Sequence, residues 1–202
     1  MTRFALLATA CLAAGVAAFA PVSFARPVEA PAQTFTIDPV HSSVVFKIRH
    51  NNLANFFGRF NDVSGTIAID DATLSASKLE VTVKIDSIDT NSGGRDKHLK
   101  SPDFFDAEKF PTSTFVGKTF EKGDADTYKI TGDMTLHGVT KPLTIEFHKT
   151  GAVDGRRGPM TGYECTFNLK RSDYGLGAGG PGMGDEVTLF VALEAGVKKD
   201  KE

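Results

Sequence analysis

Five histidines, His41, His50, His98, His137 and His148, are the side chains best suited to metal or proton chemistry, and no two of them lie two to four positions apart. Compact metal motifs place their ligands at such spacings, so no metal centre is expected. Asp38, His41 and Ser42 carry the residue types of a nucleophilic triad. In an extended strand, however, the adjacent His41 and Ser42 side chains point to opposite faces, and a triad also needs an oxyanion hole. They read better as a strand start whose polar groups bond the backbone. The glycine-rich segment Gly175 to Gly184 would cradle a phosphate only if it opened a helix, but the alternation Val187, Leu189, Val191, Leu193 that follows is that of a strand. A flexible hairpin connection is the better reading. Nucleotide-binding loops, a nucleophile elbow and zinc-protease signatures are absent. No catalytic residue and no cofactor is expected.

What remains for chemistry is apolar surface. Sixteen phenylalanines stand against three tyrosines and no tryptophan, and aromatic surface without donors suits contact with hydrocarbon. The wall candidates are Phe46, Phe56, Phe57, Phe60, Phe104, Phe105, Phe115, Phe147 and Phe167, with ordinary core packing as the alternative for each. The Phe56-Phe57 and Phe104-Phe105 pairs fall in loop-like contexts near openings. A polar head on an apolar ligand would need a cation or donor at the mouth. Arg95, Lys97, His98 and Arg171 are candidates, with His41, His50 and Asn91 as further polar contacts from strand ends.

Period-two alternation supplies the elements that must hold these residues. Leu79, Val81, Val83 and Ile85 alternate with Lys78, Glu80, Thr82 and Lys84, which puts every aliphatic side chain on one face of a strand. The same pattern recurs in Val44/Phe46/Ile48, Ile67/Ile69, Tyr128/Ile130/Met134/Leu136, Leu143/Ile145/Phe147, Tyr163/Cys165/Phe167/Leu169 and Val187/Leu189/Val191/Leu193. With Thr114 to Phe120 added, about eight strands are expected. One dry and one wet face argue for antiparallel pairing, and a one-sided sheet must pack on another or close on itself. Closure at eight strands leaves an interior that side chains just fill or that holds one small apolar ligand. The one helix expected, Gly94 to Lys100, ends before Pro102 and would cap or gate a barrel end.

Domain organisation is simple. Residues 1–25 read as a cleaved secretory signal: Arg3, an uncharged run from Phe4 to Ala25, Pro21, and a Ser23-Phe24-Ala25 ending. An uncleaved N-terminal anchor is the competing reading. Ala8-Thr9-Ala10-Cys11 loosely resembles a lipoprotein box, but the apolar run continues past Cys11. Residues 26–33 read as a linker, 34–197 as one domain and 198–202 as a solvated charged tail. Cleavage would leave Cys165 as the single thiol, a buried small hydrophobe with no disulfide partner. The formal net charge of −2 offers no basic field for nucleic acid. No other segment approaches 18 apolar residues, so no stable membrane insertion is expected after cleavage.

Several stretches, in order, resemble the YceI-like proteins. Thr36-Ile37-Asp38-Pro39-Val40-His41-Ser42-Ser43-Val44-Val45-Phe46 is similar to the family's opening strand, an Asp, then a His-Ser pair, then aliphatic-x-Phe. Gly58-Arg59-Phe60, the segment from His98 to Asp106, Phe110 to Phe115, Gly132 to Pro142, Arg171 to Gly175, and Gly184 to Val187 agree in turn. Met134 and Tyr174 stand where an aliphatic and a Phe are more usual, and the glycine run is longer than typical. The resemblance implies an all-β, extended antiparallel lipocalin-like barrel, exported to the periplasm, holding a long apolar molecule such as a polyisoprenoid or isoprenoid quinone in its tunnel. It leaves open the head group, a carrier or a scavenger role, and a homodimer. The alternatives are a packed barrel acting as an interaction or stress-related module and an enzyme acting on a lipid.

Overall fold

The computed structural model describes residues 32–156, 158–177, 180 and 182–197. The leader, most of the linker and the charged tail expected from the sequence lie outside the described residues. Among the described residues eleven strands and one α-helix follow in order, besides three short 3-10 turns: β1 Phe35–Ile37, β2 Ser43–His50, β3 Ala54–Phe60, β4 Val63–Ala68, β5 Lys78–Lys84, β6 Ile88–Asp89, α1 Gly93–Lys100, β7 Thr112–Lys122, β8 Thr127–Leu136, β9 Val139–Gly155, β10 Gly158–Lys170 and β11 Met183–Gly196.

All described pairings are antiparallel. Neighbours run β1-β4-β5-β7-β8-β9-β10-β11, and β11 returns to β1 through Thr36↔Gly196 and Ile37↔Ala195, which closes the ring. The three remaining strands are continuations rather than additions. β2 extends β1 along β11, β3 pairs with β2 and runs into β4, and β6 follows β5 and pairs with β3. Joined in this way they give the eight-stranded barrel that the alternation implies. The breaks are tied across: the Asp38 amide donates to Glu194 O at 2.8 Å, the Asn61 amide to Ser87 O at 3.1 Å, and the Lys84 amide to Asp62 O at 3.0 Å.

β3 corrects one expectation, because Phe56 and Phe57 sit in a strand and not in a loop. The outward Phe57 and the inward Gly58 break the apolar alternation that would have marked it. Gly58 is inward-facing and paired with Phe46, whose ring occupies the space a side chain would need; a Cβ there would lie 2.3 Å from Phe46 Cζ. The aromatic ring covers the bare backbone of its cross-strand neighbour.

Above the breaks, β6 has no pairing to β7. Helix α1 and the turns after it stand in that gap, with the Phe105 amide donating to Leu99 O and the Ala107 amide to Lys100 O, each at 2.9 Å. The Phe105 ring meets Phe60 edge-on at 5.9 Å between centroids, and Phe60 packs on Phe46 at 5.8 Å. At the opposite end the bore is filled. Tyr128, Ile130, Ile67 and Phe147 are fully buried, and Phe147 stacks on Tyr163 with centroids 4.6 Å apart and planes 3° from parallel. The Tyr128 hydroxyl reaches out to donate to Asp71 at 2.9 Å, and Lys122 Nζ donates to both. These bonds hold the Asp71 carboxyl below its ordinary range, chiefly through Lys122.

Gly65, with φ 145°, lies so close to β5 that a Cβ would sit 1.9 Å from Glu80 O. Gly65→Ala is expected to lose roughly 2–4 kcal/mol of stability in chemical denaturation. Gly94→Ala on α1 meets nothing within 4 Å and should be neutral or stabilising by up to about 1 kcal/mol. Matching midpoints for the two variants would refute the tight β4–β5 approach.

Candidate functional site

The closed ring and period-two strands aim one face of every long strand inward, so the site is the bore itself. Between the filled end and α1 a cavity of about 300 Å³ remains, within the size range of small-molecule sites. Its wall is built from inward positions at register: Val187, Leu189 and Val191 of β11 stand opposite Ile48, Phe46 and Val44 of β2, and Phe115 of β7 stands opposite Met134 of β8. β5 contributes Leu79, Val81 and Val83, β9 contributes Leu143, Ile145 and Phe147, and β10 contributes Cys165, Phe167 and Leu169. Five lining residues carry a polar side chain: His50, Arg95, Ser113, Thr114 and Arg171. Such a surface can hold hydrocarbon by dispersion and by exclusion of water, at about 0.8 kcal/mol per buried methylene.

Most of the aromatic candidates meet here. Phe46, Phe56, Phe60, Phe104, Phe105, Phe115, Phe147 and Phe167 all line the cavity. Phe57 does not. It is 54% exposed, because with Phe56 facing inward the next side chain on β3 must face outward.

The polar candidates divide in the same way. His50, at the end of β2, lines the cavity, as does Arg95 on α1. Arg171 also lines it, but its guanidinium serves the chain nearby, with Nε donating to Gly184 O at 2.8 Å and Nη1 to Leu176 O. It clips together the two ends of the glycine-rich connection. His98 lies off the cavity, 3.2 Å from Asp103, and props the Phe104 ring edge-on at 5.0 Å. Asn91 is likewise off the wall, a left-handed turn residue whose amide donates to Asp89 at 2.9 Å.

His41 sits outside the barrel at the β1/β2 break. Its Nδ1 lies 2.9 Å from Asp38 and 3.8 Å from Glu194. The Asp38 hydrogen bond, then the charges of Asp38 and Glu194, raise its pKa above 6.5. Ser42 turns inward and exchanges hydrogen bonds with the Glu194 backbone, so no triad forms. Asp38, His41 and Glu194 bring donor atoms within 4.8 Å of one another, and their mutual bonds account for the arrangement.

The aliphatic lining was visible in the alternation only as a dry strand face, with nothing to separate wall from packed core. Leu99, Leu176 and Met183 carried no such signal, since they come from α1, the connection after β10 and the irregular start of β11. Cys165 lines the wall, and burial pushes its thiol up to about 12.

Comparison with known proteins agrees with this geometry. The YceI-like domain model matches residues 35–195. A UPF0312 protein of Pseudomonas aeruginosa is 39% identical over 155 residues, covering 76% of this chain and 81% of that protein. The solved YCEI protein of Campylobacter jejuni is 35% identical, with a TM-score of 0.66 over 76% of this chain and 91% of that one. A polyisoprenoid binding domain from Saccharophagus degradans shares the fold, with a TM-score of 0.64 over 81% of this chain and 98% of its own, at 14% identity.

Two measurements check the site's electrostatics. In a Cys11→Ser chain, Cys165 should resist a thiol-specific reagent in native buffer well into the alkaline range and react fully once unfolded; rapid native reaction would place it outside the wall. By NMR titration His41 should show a midpoint above 6.5, and Asp38→Asn should move it back down. The contact's stabilisation is present while Asp38 is ionised and His41 protonated, and it fades as pH rises through that raised midpoint or falls through the lowered one of Asp38.

Proposed function

The chain belongs to the YceI-like domain family, and from that footing we propose that it is an exported protein that sequesters or carries a long apolar molecule, such as a polyisoprenoid or isoprenoid quinone, in its barrel. The observation that carries this reading is the cavity: its wall is mostly aliphatic and aromatic, while one end is filled and the other is bordered by the short helix α1, by Arg171 and Leu176 of the connection after β10 and by Met183 at the start of β11. Binding rather than catalysis fits such a wall. Its polar groups are few, and two of them, Ser113 Oγ and Arg171, already donate to backbone carbonyls of Thr135, Leu176 and Gly184. Specificity would come from chain length and shape, because an apolar wall discriminates weakly among hydrocarbons of similar bulk. Export to the periplasm rests on the leader-like residues 1–25, and transport between membranes would follow from a soluble barrel with a greasy interior. The fold shared with a polyisoprenoid binding domain points to the same ligand class.

Native mass spectrometry of the protein purified from the cells that make it, followed by lipid extraction, should release a long-chain apolar molecule at near-stoichiometric amount. A ligand-free barrel would instead support a packed interaction module. Phe46→Glu and the space-filling Val81→Phe should each lose the bound molecule while keeping a β-sheet circular dichroism spectrum, whereas Phe57→Glu on the outer face should retain it. Retention in both wall variants would remove the cavity from the function.

A further inference from the structure

We infer that the bound molecule is a single-chain amphiphile with an anionic head, a carboxylate or a phosphate monoester, which docks on Arg95 while its chain runs down the bore; this rests on the apolar-ligand reading above. The orientation follows from the two ends of the cavity. At the filled end Tyr128, Ile130 and the Phe147–Tyr163 stack occupy the bore, and no basic side chain lines the cavity there. At the helix end stand the three basic side chains of the lining, His50, Arg95 and Arg171.

Arg95 differs from Arg171 in how it is held. Its Nε donates to Thr90 Oγ1 at 2.8 Å, its Nη2 to Thr90 O at 2.6 Å, and its guanidinium lies 4.4 Å over the Phe56 ring. Thr90 is buried, with both its amide and its hydroxyl bonded to Asp96. One edge of the guanidinium is thereby fixed. Nη1 makes no hydrogen bond, and the group forms no ion pair, among the described residues. The neighbouring Asp96 accepts both Thr90 bonds on Oδ1 and forms no ion pair with Arg95.

A cation already held in place binds an anion without the usual cost of ordering a long side chain. Guanidinium and carboxylate or phosphate oxygens match in a charge-assisted contact that a neutral hydroxyl, amide or ester cannot equal. His50, on the same end, adds a ring nitrogen to the mouth. The apolar wall below supplies the grip on the chain, so head and tail are recognised by different residues.

The test uses parinaric acid and its methyl ester, which share a fluorescent chain and differ only in head charge, on the delipidated full chain at mildly alkaline pH. The acid should bind about fivefold or more tightly than the ester at low salt, with the gap narrowing as salt rises. Arg95→Gln should abolish the preference by weakening the acid alone, and Arg95→Lys should restore part of it. Inorganic phosphate should displace the acid no better than chloride at equal ionic strength. Equal binding of acid and ester, or a preference that survives Arg95→Gln, would overturn the head assignment while leaving the apolar cavity standing. Phosphate displacement would show an anion site independent of the chain. Failure of both probes to bind would bring down the ligand reading along with it.

Discussion

An antiparallel ring of eight strands encloses a bore whose width is set by strand number and stagger, and something must occupy that volume. Large side chains do so at one end of this barrel. Tyr128, Phe147, Tyr163, Ile67 and Ile130 form a packed layer there, and the Tyr128 hydroxyl is led out to Asp71 and Lys122. Further up, the inward positions hold Val, Leu, Ile and Phe, and they leave a cavity of about 300 Å³. The cavity is thus the difference between a bore that is fixed by topology and a filling that changes along the strands.

The upper half departs from a simple cylinder because three adjacent strands break and resume. β6 resumes away from β7, so a stretch of wall lacks strand pairing and is closed by α1 and the turns that follow. Helix α1 therefore does a strand's work, and residues of it face the bore where a strand's would. That substitution is what brings Leu99, Phe104, Phe105 and Arg95 onto the wall. It also explains the anchoring of α1 by the short circuit among Thr90, Arg95 and Asp96: a helix of eight residues buries too little to hold itself in place.

The ring was legible because alternation survives in nearly every strand, and closure follows once eight one-sided strands are counted. β3 was not, since its inward Gly58 and outward Phe57 interrupt the pattern, and only the Phe46 ring lying over Gly58 makes sense of it. In the site, strand phenylalanines such as Phe115 and Phe167 could be assigned by parity alone. Phe57 could not, because parity needs a strand to count along. His41 and His98 looked like site residues by type, yet each answers to a nearby carboxylate outside the bore. Which inward side chains border empty space depends on height along the barrel axis, and height is a property of register between strands distant in sequence.

The seam carries a kinetic consequence. β1, at the start of the domain, bonds to the far end of β11, and β2 lies along most of the rest of that last strand. No cylinder can form until the final residues of the domain exist, so a growing chain has hairpins to offer but no finished wall. Folding by such sequence-distant pairing is slow compared with local helix packing. A chain that stays open until its last strand arrives remains, for that interval, a thread.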